Sequence, residues 1–361
     1  MIDFIHVGLN KTATSWLQKT YFGNHPQLRV LGSRRHQAQI NSDYSRLVSS
    51  FVQGADLSFD TGKFKAEMER LFAAVKKEES ERSETILCSG LSAEAYSGDW
   101  RCGKNTRYIA HCLHEMFGRV KIILFLREQM SMLESNYKQF IKRGGTGSLD
   151  EFLFSPIRTA GRINYHSPLN THVVEYFKYS RIVKLYQELF GAENVFIGLY
   201  EDLNKAPQSV VDDLSRFLGV EQFPLVEEKR YNVSPSPAAL TLLKFFNRFF
   251  CTRFHHKYGR LHMMGLFYLV GQGKLKRLAD FKDNPYLLQQ ETSLSLQHKV
   301  QSVVIPKIDK VIHRLPLFAR KYSIEGLPAR LRDFLAEEYR KDNHLLQQLI
   351  DSDLKSRGYL L

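Results

Sequence analysis

A lysine, three hydroxyls and two small residues crowd into one short stretch near the start of the chain, Gly8-Leu9-Asn10-Lys11-Thr12-Ala13-Thr14-Ser15-Trp16. Residues 2–7 before it alternate in the manner of a buried strand, and residues 14–21 after it have helical spacing. Backbone N–H groups at a helix start lack intrahelical partners and lie at the positive end of the macrodipole, so such a loop stabilises an anion. Lys11 adds a full charge, and Thr12, Thr14 and Ser15 add donors. The plainer alternative is an N-cap, a role Thr and Ser fill at any helix start. A nucleotide-triphosphate loop would need glycine directly before the lysine, where Asn10 stands. A phosphate-loop kinase is therefore the alternative enzyme, and a noncatalytic nucleotide or polyanion binder is the alternative outside catalysis.

Three more groups fall just after apolar runs. Residues 120–126 end in Arg127, with Ser135 eight positions on; a guanidinium offers a phosphate two parallel donors, and a neighbouring hydroxyl can fix its orientation. Taken alone, an arginine after a strand is usually a surface ion pair. The run at residues 195–200 closes on Tyr200, followed by Glu201-Asp202-Leu203, and a strand-end tyrosine is either a core residue or a flat face for a ring. After residues 85–88 comes Ser92-Ala93-Glu94, whose carboxylate is a candidate base or a solvated helix-start acid.

Together these segments resemble the sulfotransferases that use 3′-phosphoadenosine 5′-phosphosulfate (PAPS). The stretch from Gly8 to Leu17 resembles that family's phosphosulfate loop, with Ala13 where the family usually has glycine. Arg127 and Ser135 have the spacing of the pair that holds the nucleotide 3′-phosphate, and Tyr200-Glu201-Asp202-Leu203 with Phe217-Leu218-Gly219 resembles a third block. Residues 339–361 are similar to the end of bacterial carbohydrate sulfotransferases, while residues 238–322 are largely outside the likeness. The resemblance implies PAPS as sulfuryl donor and 3′-phosphoadenosine 5′-phosphate (PAP) as product. It also implies donor contacts from Lys11, Thr12, Ala13, Thr14, Ser15, Trp16, Arg127, Ser135 and Tyr200, with Tyr200 against the adenine. Lys11 would meet the leaving oxygen and Glu94 would take the proton of a carbohydrate or glycolipid hydroxyl. His36 and His166, in expected loops, rival Glu94 as base, and Lys229-Arg230 is expected to add charge near the 3′-phosphate. If position 13 needs positive φ, alanine there is strained.

These residues need a scaffold that delivers several strand ends to one place. Strand-like runs at 2–7, 85–88, 120–126 and 195–200 alternate with helical patterns at 63–79, 105–117, 131–143, 170–190 and 207–218. That alternation predicts an α/β fold, a doubly wound parallel sheet flanked by helices. Beyond the turn signals at residues 234–237 the strand signals fade. The expected organisation is an α/β core over residues 1–237 and a helical C-terminal region, 238–361, packed on it.

Composition narrows the partners. Of 361 residues, 51 are Lys or Arg and 38 are Asp or Glu, a net +13 that favours anionic partners. From Ala238 onward, 21 basic residues stand against 11 acidic ones, scattered among apolar positions and matching no nucleic-acid-reading motif. Residues 242–270 interleave Phe245, Phe246, Phe249, Phe250, Phe254 and Tyr258 with basic residues, either a core-packed helix or one at a membrane surface. The four cysteines form no C-x-x-C pair, and His111-Cys112-Leu113-His114 has no second cluster to complete a shell, so no metal is expected. Without a signal peptide or a membrane-length apolar run, the expected setting is the cytoplasm.

Overall fold

The computed structural model describes all residues except 1, 34, 54–58, 80–84, 100–102, 159–172, 226–234, 249–302 and 313–321. Among the described residues, five strands form one parallel sheet: β1 (Phe4–Val7), β2 (Leu28–Leu31), β3 (Cys88–Ala93), β4 (Lys121–Leu126) and β5 (Val195–Leu199), in the order β2-β3-β1-β4-β5. β1 is buried along its whole length, as expected of a strand covered on both faces. The chain runs from β1 out to β2, returns through β3 to one side of β1, then crosses to β4 on the other. The switch of direction therefore falls at the carboxyl end of β1, the place where open α/β sheets bind ligands.

The chain divides into two compact units. The first holds the sheet and comprises Met1–Met132, His172–Tyr231 and Asp333–Leu361; the second comprises Leu133–Thr171 and Asn232–Arg332. Residues 238–361, expected as one helical region, are thus shared between the two. In the first unit, α1 (Thr14–Trp16) runs on into a π-helical turn, Leu17–Tyr21. It is followed by α2 (Ala38–Gln53), α3 (Thr61–Glu79) and α4 (Thr106–Phe117). Helix α5 (Gln129–Lys142) begins in the first unit and continues in the second, which also contains α6 (Leu149–Arg158). The first unit resumes with α7 (Val173–Tyr176), α8 (Tyr179–Phe190), α9 (Tyr200–Lys205) and α10 (Pro207–Leu218). The second adds α11 (Pro237–Asn247) and α12 (Ile305–Ile312), and from Asp333 onward α13 (Ala329–Ile350) belongs to the first.

One core cluster of the first unit gathers Phe4, Leu28, Val30, Ile123 and Phe125 from the sheet, Leu17, Tyr21 and Phe22 from the first helical turns, and Val211, Leu214 and Leu218 from α10. Alternation sends Ile5 and Val7 to the opposite face, also fully buried.

Two expectations need correction, and two elements were missed. The run at residues 85–88 is not the second strand read from the sequence; the strand starts at Cys88 and runs to Ala93. Glycine is required at position 90, since a Cβ there would come within 2.4 Å of the Phe4 ring that its register places opposite. Residues 28–31 and 38–53 form a strand and a helix that the periodicity did not single out. The expected helix at 170–190 is two helices, α7 and α8, interrupted at Phe177 and Lys178, where Lys178 leaves helical geometry at ψ 84°.

Candidate active site

The loop after β1 adopts alternating backbone handedness. Lys11 and Ala13 have φ of 67° and 66°, and Thr12 between them is not in the left-handed region. Alternation of left- and right-handed residues can turn successive N–H groups toward one side, the arrangement of anion-binding concavities. Trp16 and Leu17 donate to the Ala13 carbonyl at 2.9 and 3.0 Å, so the N–H groups of Thr14 and Ser15 lie ahead of the first helical bond. Ala13 holds the left-handed position with about 1–2 kcal/mol of local strain.

The side chains divide the work differently from the expectation that three hydroxyls face an anion. Thr12, fully buried, donates its hydroxyl to the Leu9 carbonyl at 2.7 Å, and Thr14 reaches the same oxygen at 3.4 Å. Those hydroxyls lock the loop; toward an anion the two residues offer backbone. Ser15 keeps a half-buried side chain. Trp16 and Ala13 pack against the core cluster, so the Trp16 side chain anchors the helix start.

Gly8 brings a second strand end against this loop. Its N–H donates to the Ala93 carbonyl at 3.2 Å, and its carbonyl accepts from Ser97 Oγ at 3.2 Å. A Cβ at Gly8 would lie 2.6 Å from Thr14 Oγ1 and 3.3 Å from Glu94 Cα, so only glycine permits this approach. Glu94 is the first residue of the 3₁₀ turn Glu94–Ser97 and is exposed.

On the other side of β1, the pairing of β4 with β5 sets Leu126 opposite Leu199 and so brings Arg127 and Tyr200 together. The Arg127 guanidinium lies 4.5 Å from the Tyr200 ring centroid, and its Nη1 donates to the Lys11 carbonyl at 3.3 Å. Arg127 Nε is buried with no hydrogen-bond partner among the described residues. Lys11 through Ser15, Glu94, Arg127 and Tyr200 thus converge at the switch point. Ser135 is half-buried on α5, within the second unit.

The rivals for the base fare differently. His36 follows β2, buried, with Nε2 3.2 Å from the Val30 carbonyl, and β3 stands between its strand and β1. His166 and Lys229-Arg230 lie outside the described residues, as does most of 242–270, whose start is the end of α11.

Several residues of the site escaped the sequence reading. His6, fully buried in β1, has Nδ1 2.8 Å from Ser92 Oγ, which also accepts from Gln18 Nε2 at 3.1 Å. Burial holds its imidazole neutral, with the pKa lowered to about 3. Glu128 caps α5 by accepting the N–H groups of Met130 and Ser131, both at 2.8 Å. Glu201 accepts the Glu128 N–H at 2.9 Å, and burial pushes its carboxyl above the usual range. Glu201 follows Tyr200 directly, but nothing in its spacing separates a buried acceptor from a solvated acid.

Among the described residues, no three His, Cys, Asp or Glu side chains cluster as metal ligands, and no helix is long and apolar enough to cross a membrane. Residues 4–224 match the Sulfotransferase family. A search of curated proteins found no match. Among solved structures, the chain is similar to a sulfotransferase from Alicyclobacillus acidocaldarius (21% identity, TM-score 0.44, covering 68% of this chain and 92% of that one). It is also similar to a sulfotransferase domain from the curacin biosynthetic pathway (14%, TM-score 0.36, 62% and 75%) and to one from the Synechococcus PCC 7002 olefin synthase (16%, TM-score 0.33, 62% and 74%).

Proposed function

The chain belongs to the sulfotransferase family, and from that membership we propose that it transfers the sulfuryl group of PAPS to a hydroxyl of a carbohydrate or glycolipid. The observation that carries this reading is the alternating-handed loop Lys11–Thr12–Ala13 at the switch point, with Arg127 bonded to its backbone. The concavity and the N–H groups of Thr14 and Ser15 suit the 5′-phosphosulfate. The Arg127 guanidinium suits the 3′-phosphate, with Ser135 its expected partner on α5. Tyr200 serves this site through Arg127, whose planar cation it carries on its ring face.

Sulfuryl transfer is an in-line displacement: the bond from sulfur to the acceptor oxygen forms as the bond to the 5′-phosphate oxygen breaks. Catalysis of such a step is mainly positioning and charge stabilisation. Lys11 stabilises the negative charge that builds on the departing phosphate oxygen. Glu94 takes the proton of the acceptor hydroxyl. The reading places the enzyme in the cytoplasm, where thiols such as those of Cys88 and Cys112 stay reduced.

Incubating the protein with PAPS carrying labelled sulfate and a panel of carbohydrates and glycolipids tests the reaction directly. Label on an acceptor together with released PAP supports it; release of inorganic sulfate alone, with every acceptor unlabelled, would rule it out.

A further inference from the structure

The two strand-end segments that carry Arg127 and Tyr200 are each tied to one remote stretch of chain, residues 357–360. Asp202 accepts both hydrogen bonds of a forked contact from Arg357 Nε, at 2.9 and 2.8 Å. Tyr359, almost fully buried, donates its hydroxyl to Glu201 Oε2 at 3.4 Å, and the other oxygen of Glu201 accepts the backbone N–H of Glu128. The Leu360 carbonyl accepts from Asn343 Nδ2 at 2.8 Å, and Asn343 exchanges a reciprocal amide pair with Gln129, at 2.5 and 3.3 Å. Asn343 and Gln129 are both buried, so this pair is desolvated and directional.

Residues 128, 129, 201 and 202 are the next two residues after Arg127 and after Tyr200, and residues 357–360 reach all four, two of them through one intervening side chain. The local backbone is built for it. The 3₁₀ turn Lys355–Arg357 ends at Gly358 with φ 85°, and the Tyr359 N–H returns to the Leu354 carbonyl at 3.2 Å. That reversal aims Arg357 and Tyr359 at consecutive residues of α9.

Resting on the nucleotide-binding reading above, we propose that residues 357–360 are a positioning clamp: they hold the ends of β4 and β5 in the relation that stacks Arg127 on Tyr200 and so presents its fork to the donor's 3′-phosphate. Arg357 and Tyr359 touch no substrate and act through Arg127. Orientation matters because a guanidinium gains its advantage over a point charge only when both donors reach the phosphate.

Calorimetric titration of PAP into the full chain tests this, comparing wild type with Arg357→Gln, Tyr359→Phe, Arg127→Lys and the double variant Arg127→Lys/Arg357→Gln. Arg357→Gln should weaken PAP binding about fivefold and Tyr359→Phe about twofold. Once Arg127 has lost its fork, Arg357→Gln should weaken binding no further. Tyr359→Phe deletes a single hydroxyl and keeps the packed ring, so it reports on the clamp even if Arg357→Gln folds poorly. Unchanged affinity in folded Arg357→Gln and Tyr359→Phe overturns the clamp and leaves the function standing. A loss that persists undiminished with Arg127→Lys makes the segment merely structural. Wild type that does not bind PAP removes the nucleotide site itself, and the clamp with it.

Discussion

The Arg127 guanidinium stacks on the ring of Tyr200, 4.5 Å from its centroid, because Leu126 and Leu199 are register partners at the ends of adjacent parallel strands. Residues 73 positions apart in sequence thereby form one cationic platform, and Nη1 of that platform bonds the carbonyl of Lys11 in the anion loop. In the proposed reading, this relation joins the two places where a doubly phosphorylated nucleotide would carry its charge.

Separating the stack from the charge gives a first test. Tyr200→Phe keeps a ring face and should leave PAP affinity within about twofold, whereas Tyr200→Ala should weaken it about fivefold, near the ~1 kcal/mol of a partly desolvated cation–π contact. Arg127→Ala should lose at least tenfold. Equal binding by Tyr200→Ala and wild type would separate the stack from nucleotide binding.

The left-handed residue at position 13 makes a stability prediction. Ala13→Gly relieves about 1–2 kcal/mol of local strain and gives back about 0.5–1 kcal/mol as unfolded-chain entropy. Urea unfolding should show it slightly more stable than wild type, by about 0.5 kcal/mol, with PAP affinity retained. Ala13→Val places a β-branched side chain at φ 66° and should lose about 2 kcal/mol together with PAP affinity. Destabilisation by Ala13→Gly would show that the methyl's packing outweighs its strain.

Glu94 is tested by separating binding from turnover. Glu94→Gln keeps the shape of an exposed side chain, so PAP affinity should stay at the wild-type value while transfer falls at least a hundredfold. Full turnover by this variant would move the base to another residue.

Acid sensitivity should trace in part to His6. The unfolded chain takes up a proton near pH 6.5 that the folded chain refuses until about pH 3. Between those values the unfolded state binds more protons, so stability falls as pH falls across that window. From pH 7 to pH 5 the loss is about 2 kcal/mol. His6→Gln should lack this part of the slope in unfolding measurements at the two pH values. A variant as acid-sensitive as wild type would mean that His6 charges freely in the fold.

The strand-end positions of the Gly8–Trp16 loop, Arg127 and Tyr200 were legible in the sequence because each follows an apolar run, and a parallel sheet gathers strand ends at one edge. The strained φ at Ala13 was legible as a condition, and the structure meets it. The inward turn of Thr12 and Thr14 was not, since a hydroxyl that locks a loop and one that faces a ligand have the same spacing. β3 was placed too early because Ser89, Gly90 and Ser92 lack the apolar character of the run before them, while Phe4 opposite Gly90 leaves no room for a side chain there. The ties from Arg357 to Asp202 and from Asn343 to Gln129 span 155 and 214 residues, and no local pattern reports such pairs.

The central claim is a site for a nucleotide with phosphate groups at both 3′ and 5′ positions, and the melting temperature with PAP in magnesium-free buffer tests it most directly. At about a hundred times Kd, PAP should raise it by roughly 5 °C in wild type and much less in Lys11→Ala and Arg127→Ala. No shift with PAP, alongside stabilisation by ATP with Mg²⁺, would contradict the account.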